Sequence, residues 1–392
     1  MNRRRPSGVG VKPSAFRCAR RATRRAVEHD TSVARIRVRS TPSKRVPGYG
    51  LRTGSHAAAE AACGTASATT VASTAVTNRG LVSTGRSVAL ASGPVPRSAP
   101  IDGFSLAYDR EGSGPPVMLL HGWPGSRRDF RALVPLLTGE MQVIVPDLRG
   151  FGESDKQAVD PADGYSAAAH ARSVIGLMDE LDLAGVVLVG YDIGSRIAQA
   201  VTRAEPERVR ALVLAPPLPG VGDRVLTPEA QRQYWYQPFH RLELADQLLD
   251  GNPDAVRAYL RHIWGHWSGP AFELSEADLD DLVARYAEPG AFSASIAWYR
   301  AGSGTVATSL AERPPAPEER TAQPTGVLWP EHDPLFPPEW GDRLDAWFSD
   351  VTVTSLPGAG HFSPLEAPDA YATAIRGMMF GEVRSSPTEG SP

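Results

Sequence analysis

The stretch Val186 to Ala200, VVLVGYDIGSRIAQA, constrains the fold more than any other part of the chain. Its four apolar residues, Val186-Val187-Leu188-Val189, are bounded by glycine and read as a buried parallel strand. Gly190-Tyr191-Asp192-Ile193-Gly194 then compresses into a tight turn, because glycine tolerates close approaches that other residues do not. A helical period follows, with Ile193, Ile197 and Val201 at i, i+4 and i+8, and it stops before Pro206. Strand, sharp turn and helix in this order hold one side chain at the carboxyl edge of a sheet. That side chain is Asp192.

A carboxylate has no proton to lose and needs no base to act as a nucleophile. It can displace a leaving group from an sp³ carbon and form an alkyl-enzyme ester. Cleaving that ester takes water, a His base and an acid to orient the His. A G-x-D-x-G turn can also arise by chance, so the partners decide. They follow two later strands. Thr325 to Trp329 leads into Pro330-Glu331-His332-Asp333-Pro334, and Val351 to Ser355 leads into Gly358-Ala359-Gly360-His361-Phe362. Nucleophile, acid and His thus come in the order Asp192, Asp333, His361, each just after a strand. Asp333 is expected to accept the Nδ1–H of His361, and His361 to draw a proton from water.

The other segments alternate strands and helices. Residues 86–91 and 104–108 read as antiparallel strands, 117–120 and 142–145 as buried strands, and 130–137 and 166–181 as helices. Such alternation means right-handed βαβ units and a mostly parallel sheet. Strand 117–120 ends in His121-Gly122-Trp123-Pro124-Gly125-Ser126, where glycine lets the backbone approach a ligand. The backbone N–H groups of Trp123 and Ile193 are the expected oxyanion hole. A further strand, Ala211 to Leu214, precedes a change of pattern. From 216 to 300 the period is helical and aromatic residues concentrate, among them Tyr234, Trp235, Tyr236, Phe239, Trp264, Trp267, Tyr286, Trp298 and Tyr299. An all-helical insertion between two strands reads as a lid. A last helix is expected over 368–380.

Charge divides the chain. Residues 1–100 hold 18 of the 41 Lys and Arg but three of the 44 acids, which leaves 101–392 at about −18. The first 82 residues lack an apolar period and read as a disordered basic tail, which could bind an anionic partner, be an organellar transit peptide or be inert sequence upstream of the true start, the last being the favoured reading. The core is expected over 83–215 and 301–382, with a second tail over 383–392. Both cysteines, Cys18 and Cys63, fall in the first tail, and no metal-ligand spacing is present, so neither thiol chemistry nor zinc is expected in the core. No stretch approaches the roughly 20 apolar residues of a membrane span. A cofactor-free cytoplasmic enzyme is expected, a monomer or homodimer without nucleic-acid or membrane partners.

Residues 83–382 resemble the soluble epoxide hydrolases of the α/β-hydrolase superfamily. The resembling pieces are HGWPGS (121–126), DLRGFGESD (147–155), GYDIG (190–194), HDPLFP (332–337) and GAGHF (358–362). The resemblance implies a cofactor-free hydrolase opening an epoxide to a vicinal diol, with two lid tyrosines directed at the epoxide oxygen. Ala297-Trp298-Tyr299-Arg300 matches the pattern for one, and Tyr236-Gln237 matches it for the other, with Tyr234 as its rival. The opening alkoxide needs a hydrogen-bond donor, and a phenol of pKa ~10 stays protonated at neutral pH. Trp123, Trp298 and Tyr234 are expected to line the pocket. The chain departs from the family at Tyr191, where His is usual, and at Ile193, where Trp is usual. Haloalkane dehalogenases share the Asp nucleophile and are the alternative. They hold halide through a Trp after the nucleophile, where Ile193 stands, and often an Asn where Trp123 stands. Haloacetate dehalogenases use two arginines, of which Arg196 matches one and Ile193 replaces the other. A non-catalytic small-molecule receptor is a remote third reading, because a receptor needs no water-activating His–Asp pair.

Overall fold

A computed structural model describes residues 95–381. The tails expected at 1–82 and 383–392, the strand expected over 86–91 and both cysteines lie outside the described residues. Seven strands form one sheet in the order β1-β3-β2-β4-β5-β6-β7. They are β1 (Tyr108–Glu111), β2 (Pro116–Leu120), β3 (Gln142–Pro146), β4 (Val186–Gly190), β5 (Val209–Leu214), β6 (Thr325–Pro330) and β7 (Val351–Leu356). Only the β1–β3 pair is antiparallel; the rest of the sheet is parallel. This is the α/β-hydrolase fold.

The central strands read as continuous apolar runs because helices cover both faces. Val187, Leu188 and Val189 are fully buried, each stabilising the fold by about 1.5–3 kcal/mol. After β2 the chain crosses to β3 on one side and then returns to β4 on the other. The loops leaving β2 and β4 therefore emerge side by side at the carboxyl edge, where open α/β sheets bind ligands. Leu119 pairs with Val189 and Leu120 with Gly190, so the two loops start level.

Two local expectations shift. The first described strand lies at 108–111 rather than 104–108, since Ile101 and Phe104 close a small bridge through Asp102 and Gly103, both at positive φ. The helix expected over 130–137 is two short turns, Arg127–Phe130 and Val134–Leu137; Pro135 can sit only in the first turn of the second. Between β5 and β6 lie helices Pro228–Gln233, Tyr236–His240, Glu243–Leu249, Pro253–Trp267, Glu276–Tyr286, Ala291–Arg300 and Thr305–Ala311. The first six fall in the segment expected as the lid, 216–300, and Thr305–Ala311 lies beyond it in the part expected as core. Ser275 caps Glu276–Tyr286 by accepting the Asp278 N–H at 3.1 Å. Among the described residues no helix is long and apolar enough to cross a membrane.

Candidate active site

β4 delivers Asp192 at a backbone turn of φ 50° and ψ −128°, a strained geometry for a residue with a Cβ. The surrounding glycines make it possible. A Cβ on Gly194 would stand 2.1 Å from the Leu120 carbonyl oxygen, and one on Gly190 would meet the Gly194 backbone at 2.5 Å. The strain holds the Asp192 carboxylate above the sheet edge at the start of the helix Ile193–Ala204.

The loop after β2 meets that carboxylate. The Trp123 N–H donates to Asp192 Oδ1 at 2.7 Å. Ile193 is the first residue of its helix, so its N–H has no intrahelical carbonyl to bond. The two expected oxyanion-hole donors thus flank Asp192 from the loop and from the helix end.

The loops after β6 and β7 bring the remaining two residues. His361 Nδ1 donates to Asp333 Oδ2 at 2.9 Å, and His361 Nε2 lies 3.4 Å from Asp192 Oδ2. Asp333 is fixed in turn by the Leu335 N–H on its Oδ1, at 2.9 Å. Burial works against a charged imidazole, but the Asp333 charge and the hydrogen bonds with Asp192 and Asp333 outweigh it and raise His361 to about 10. All three residues are buried.

Tyr236 and Tyr299 stand in the lid with ring centroids 5.6 Å apart and planes at 89°. Trp123 stacks on Tyr236 at 5.8 Å and meets Tyr299 edge-on at 6.0 Å, which ties both rings to the loop that touches Asp192. Burial, with the Asp192 charge adding to it, holds both phenols well above the ordinary tyrosine value. They remain protonated donors. Gln237 Nε2 donates to Tyr236 Oη at 3.2 Å, while its carbonyl oxygen accepts the Val306 N–H at 3.1 Å. The amide is thereby oriented, and the Tyr236 hydroxyl keeps its own proton for another acceptor.

Two expected pocket residues are turned elsewhere. The Tyr234 hydroxyl donates to the Leu335 carbonyl at 2.6 Å, bracing the loop that carries Asp333. Trp298 packs on His170, ring to ring at 5.7 Å. Arg196 pairs with Glu312 at 2.6 Å and donates to the Leu218 carbonyl at 3.1 Å, so its guanidinium is held between helix and lid.

Three contributors carry no motif. His240 is fully buried between Trp123 and Tyr299, at 4.6 and 4.8 Å; its place four residues after Tyr236, on one helical face, was its only signal. Trp267 packs edge-on against His361 at 5.0 Å, and its carbonyl accepts the His361 N–H at 2.8 Å. Glu366 accepts the N–H groups of Gly360, Phe362 and Gly269 at 2.7, 3.0 and 2.8 Å, clamping the His361 loop to the lid.

The comparisons with known proteins agree with this architecture. A family model described as alpha/beta hydrolase fold matches residues 115–368, and the chain belongs to that family. The soluble epoxide hydrolase of Corynebacterium sp. (strain C12) is 29% identical over 288 residues, covering 69% of this chain and 92% of that protein. Haloalkane dehalogenase 2 of Mycobacterium bovis is also 29% identical, over 292 residues, covering 69% of this chain and 90% of the relative. A solved epoxide hydrolase structure from metagenomes of hot environments superposes with a TM-score of 0.64 at 26% identity, over 74% of this chain and 99% of that one. The protein is a hydrolase of the group that holds epoxide hydrolases and dehalogenases.

Proposed function

We propose that this protein is an epoxide hydrolase that opens its substrate through an ester on Asp192. Asp192 Oδ2 attacks one epoxide carbon, and the C–O bond on that carbon breaks. Tyr236 and Tyr299 donate to the departing oxygen, which leaves as a hydroxyl. Water then attacks the ester carbonyl as His361 takes its proton, and the oxyanion forms on Oδ1 against the Trp123 and Ile193 N–H groups. Collapse releases a vicinal diol, the proton of the new carboxyl going to the departing alkoxide, and leaves Asp192 ionised and His361 charged as at the start.

The two steps need opposite states of the site, and the 3.4 Å spacing of His361 and Asp192 supplies the change. Before alkylation two carboxylates face the imidazole and favour its charged form. Ester formation removes the Asp192 charge, so the imidazole gives its proton to the phenolate left by alkylation and is then free to take one from water.

The observation that carries the epoxide reading is the state of the hydrogen-bond donors. Gln237 supplies a hydrogen to Tyr236 Oη, which leaves that phenol free to donate. Haloalkane dehalogenases hold halide through an aromatic N–H directly after the nucleophile. Ile193 offers none, and the Trp123 indole N–H is engaged by Ser295 Oγ at 3.3 Å. The Trp267 indole N–H, on the ring packed against His361, has no hydrogen-bond partner among the described residues and speaks for the competing reading. A dehalogenase of the same mechanism is the competing reading, favoured by the equal identity to haloalkane dehalogenase 2. An assay of styrene oxide, aliphatic and terpenoid epoxides beside 1,2-dibromoethane and haloacetate separates the two. Diol formation supports the proposal, and halide release without diol formation refutes it.

A further inference from the structure

Tyr191, where the family usually has His, is explained by its partner. Its hydroxyl donates to Asp129 Oδ2 at 2.5 Å, and both side chains are buried. Tyr191 immediately precedes the nucleophile, while Asp129 lies in the turn that follows the Trp123 loop. Asp129 Oδ2 also accepts the Ser126 N–H at 3.2 Å. A Cβ on Gly125 would fall 1.9 Å from that oxygen and 3.0 Å from Tyr191 Oη, so the loop is shaped around the pair. A Cβ on Gly122 would fall 2.6 Å from Asp192 Cβ and 2.8 Å from the Tyr191 ring. The lid holds the same loop from the other side, through Tyr286 Oη on the Gly125 carbonyl at 2.9 Å and Trp264 Nε1 on the Pro124 carbonyl at 3.2 Å.

We infer that Tyr191 and Asp129 are positioning residues: their hydrogen bond locks the 121–126 loop onto the nucleophile turn and so fixes the Trp123 N–H on Asp192. Without it, the loop keeps its lid contacts but loses the polar side-chain tie between the Asp129 turn and the residue beside Asp192. The Trp123 N–H then drifts from the oxygen it must hold, and misplacement of about 1 Å in such a group costs on the order of 100-fold in rate.

The lock responds to pH. Burial pushes Asp129 up to about 7, against the pull of Tyr191, Arg131 and the Ser126 N–H, with Asp147 pushing further upward. The groups facing the pair are Tyr286 from the lid, Arg131 in its own turn, Asp147 after β3, and Asp192 and His361 on the far side of Tyr191. Ionised, Asp129 accepts a charge-assisted bond; protonated, it accepts a weaker neutral one. Alkylation is therefore fastest with Asp129 ionised and slows as pH falls through about 7.

The inference rests on Asp192 as nucleophile, and its test separates the two. Wild type, Tyr191→Phe, Tyr191→His and Asp129→Asn are compared by single-turnover alkylation with styrene oxide and by amide hydrogen exchange over residues 121–130. Tyr191→Phe should slow alkylation by about 10- to 100-fold with little change in styrene oxide binding, and should speed exchange in 121–126 alone. Tyr191→His, which restores a donor, should recover most of both. Asp129→Asn should be slow at every pH, without the acid limb near 7. Wild-type alkylation and exchange in Tyr191→Phe, or no greater recovery in Tyr191→His, overturns the inference. If styrene oxide fails to alkylate the wild type, that failure bears on the proposed function and not on the pair, and exchange in 121–126 decides the pair: faster in Tyr191→Phe supports it, unchanged refutes it.

Discussion

Asp192 accepts the Trp123 backbone N–H at 2.7 Å on one oxygen and leaves the other 3.4 Å from His361 Nε2. The two oxygens are therefore inequivalent. In the proposed mechanism Oδ1 would carry the oxyanion, and Oδ2, on the His361 side, would make the attack. One hydrogen bond thus orients the carboxylate for both steps.

His361→Gln should still be alkylated but should fail to hydrolyse the ester, because attack by a carboxylate needs no base and release does. Intact mass spectrometry after incubation with styrene oxide should show one adduct, on the Asp192 peptide. Asp192→Ala should show neither adduct nor turnover. An adduct on another residue contradicts the assignment.

Tyr299→Phe should slow epoxide alkylation by about 10- to 1,000-fold, a loss of ~1.4–4 kcal/mol for one donor at a developing alkoxide. The double variant with Tyr236→Phe should be close to inactive on epoxides. Halide leaves as an anion and needs no proton, so any activity on 1,2-dibromoethane should change far less. Rapid-quench measurements on both substrates check this.

Stability should fall with alkaline pH through His361. Its folded value of about 10 stands above the ordinary 6.5, so folding favours the protonated form. That contribution is fully present below about 6.5 and is lost as pH rises through about 10. Tm followed by circular dichroism should decline between those values, and Asp333→Asn, which removes the leading partner, should flatten the decline. Equal slopes in the two proteins would count against the ion pair.

Gly194→Ala should destabilise the protein by roughly 1–3 kcal/mol or more, because the added methyl has only the Leu120 and His121 backbone to displace. Urea denaturation measures it. A loss below 0.5 kcal/mol, the ordinary range for a surface substitution at about that size, would show that the turn relaxes freely.

The sequence exposed those features of the fold that depend on neighbours along the chain. The apolar run 186–189, the G-x-D-x-G turn and the strands before Asp333 and His361 all lie where the pattern placed them. The order of three post-strand residues was legible because parallel strands put their carboxyl ends on one edge. What could not be read depends on pairing at a distance. Asp129 and Tyr191 are 62 positions apart, and neither residue names the other. Glu366 looks like an ordinary helix acid until its three N–H partners converge, and Tyr234 differs from Tyr236 only in which way its hydroxyl faces. Pro135 divides the segment expected as one helix over 130–137, because it fits only the first turn of Val134–Leu137.

Oxygen transfer tests the central claim most directly. In one turnover of styrene oxide in oxygen-18 water, with enzyme in excess, water attacks the ester carbonyl and not the substrate carbon. The Asp192 peptide should carry the heavy oxygen, and the diol should take its new oxygen from the unlabelled carboxylate. Heavy oxygen in the diol with an unlabelled Asp192 peptide would mean that water opens the epoxide directly, and Asp192 would not be the nucleophile.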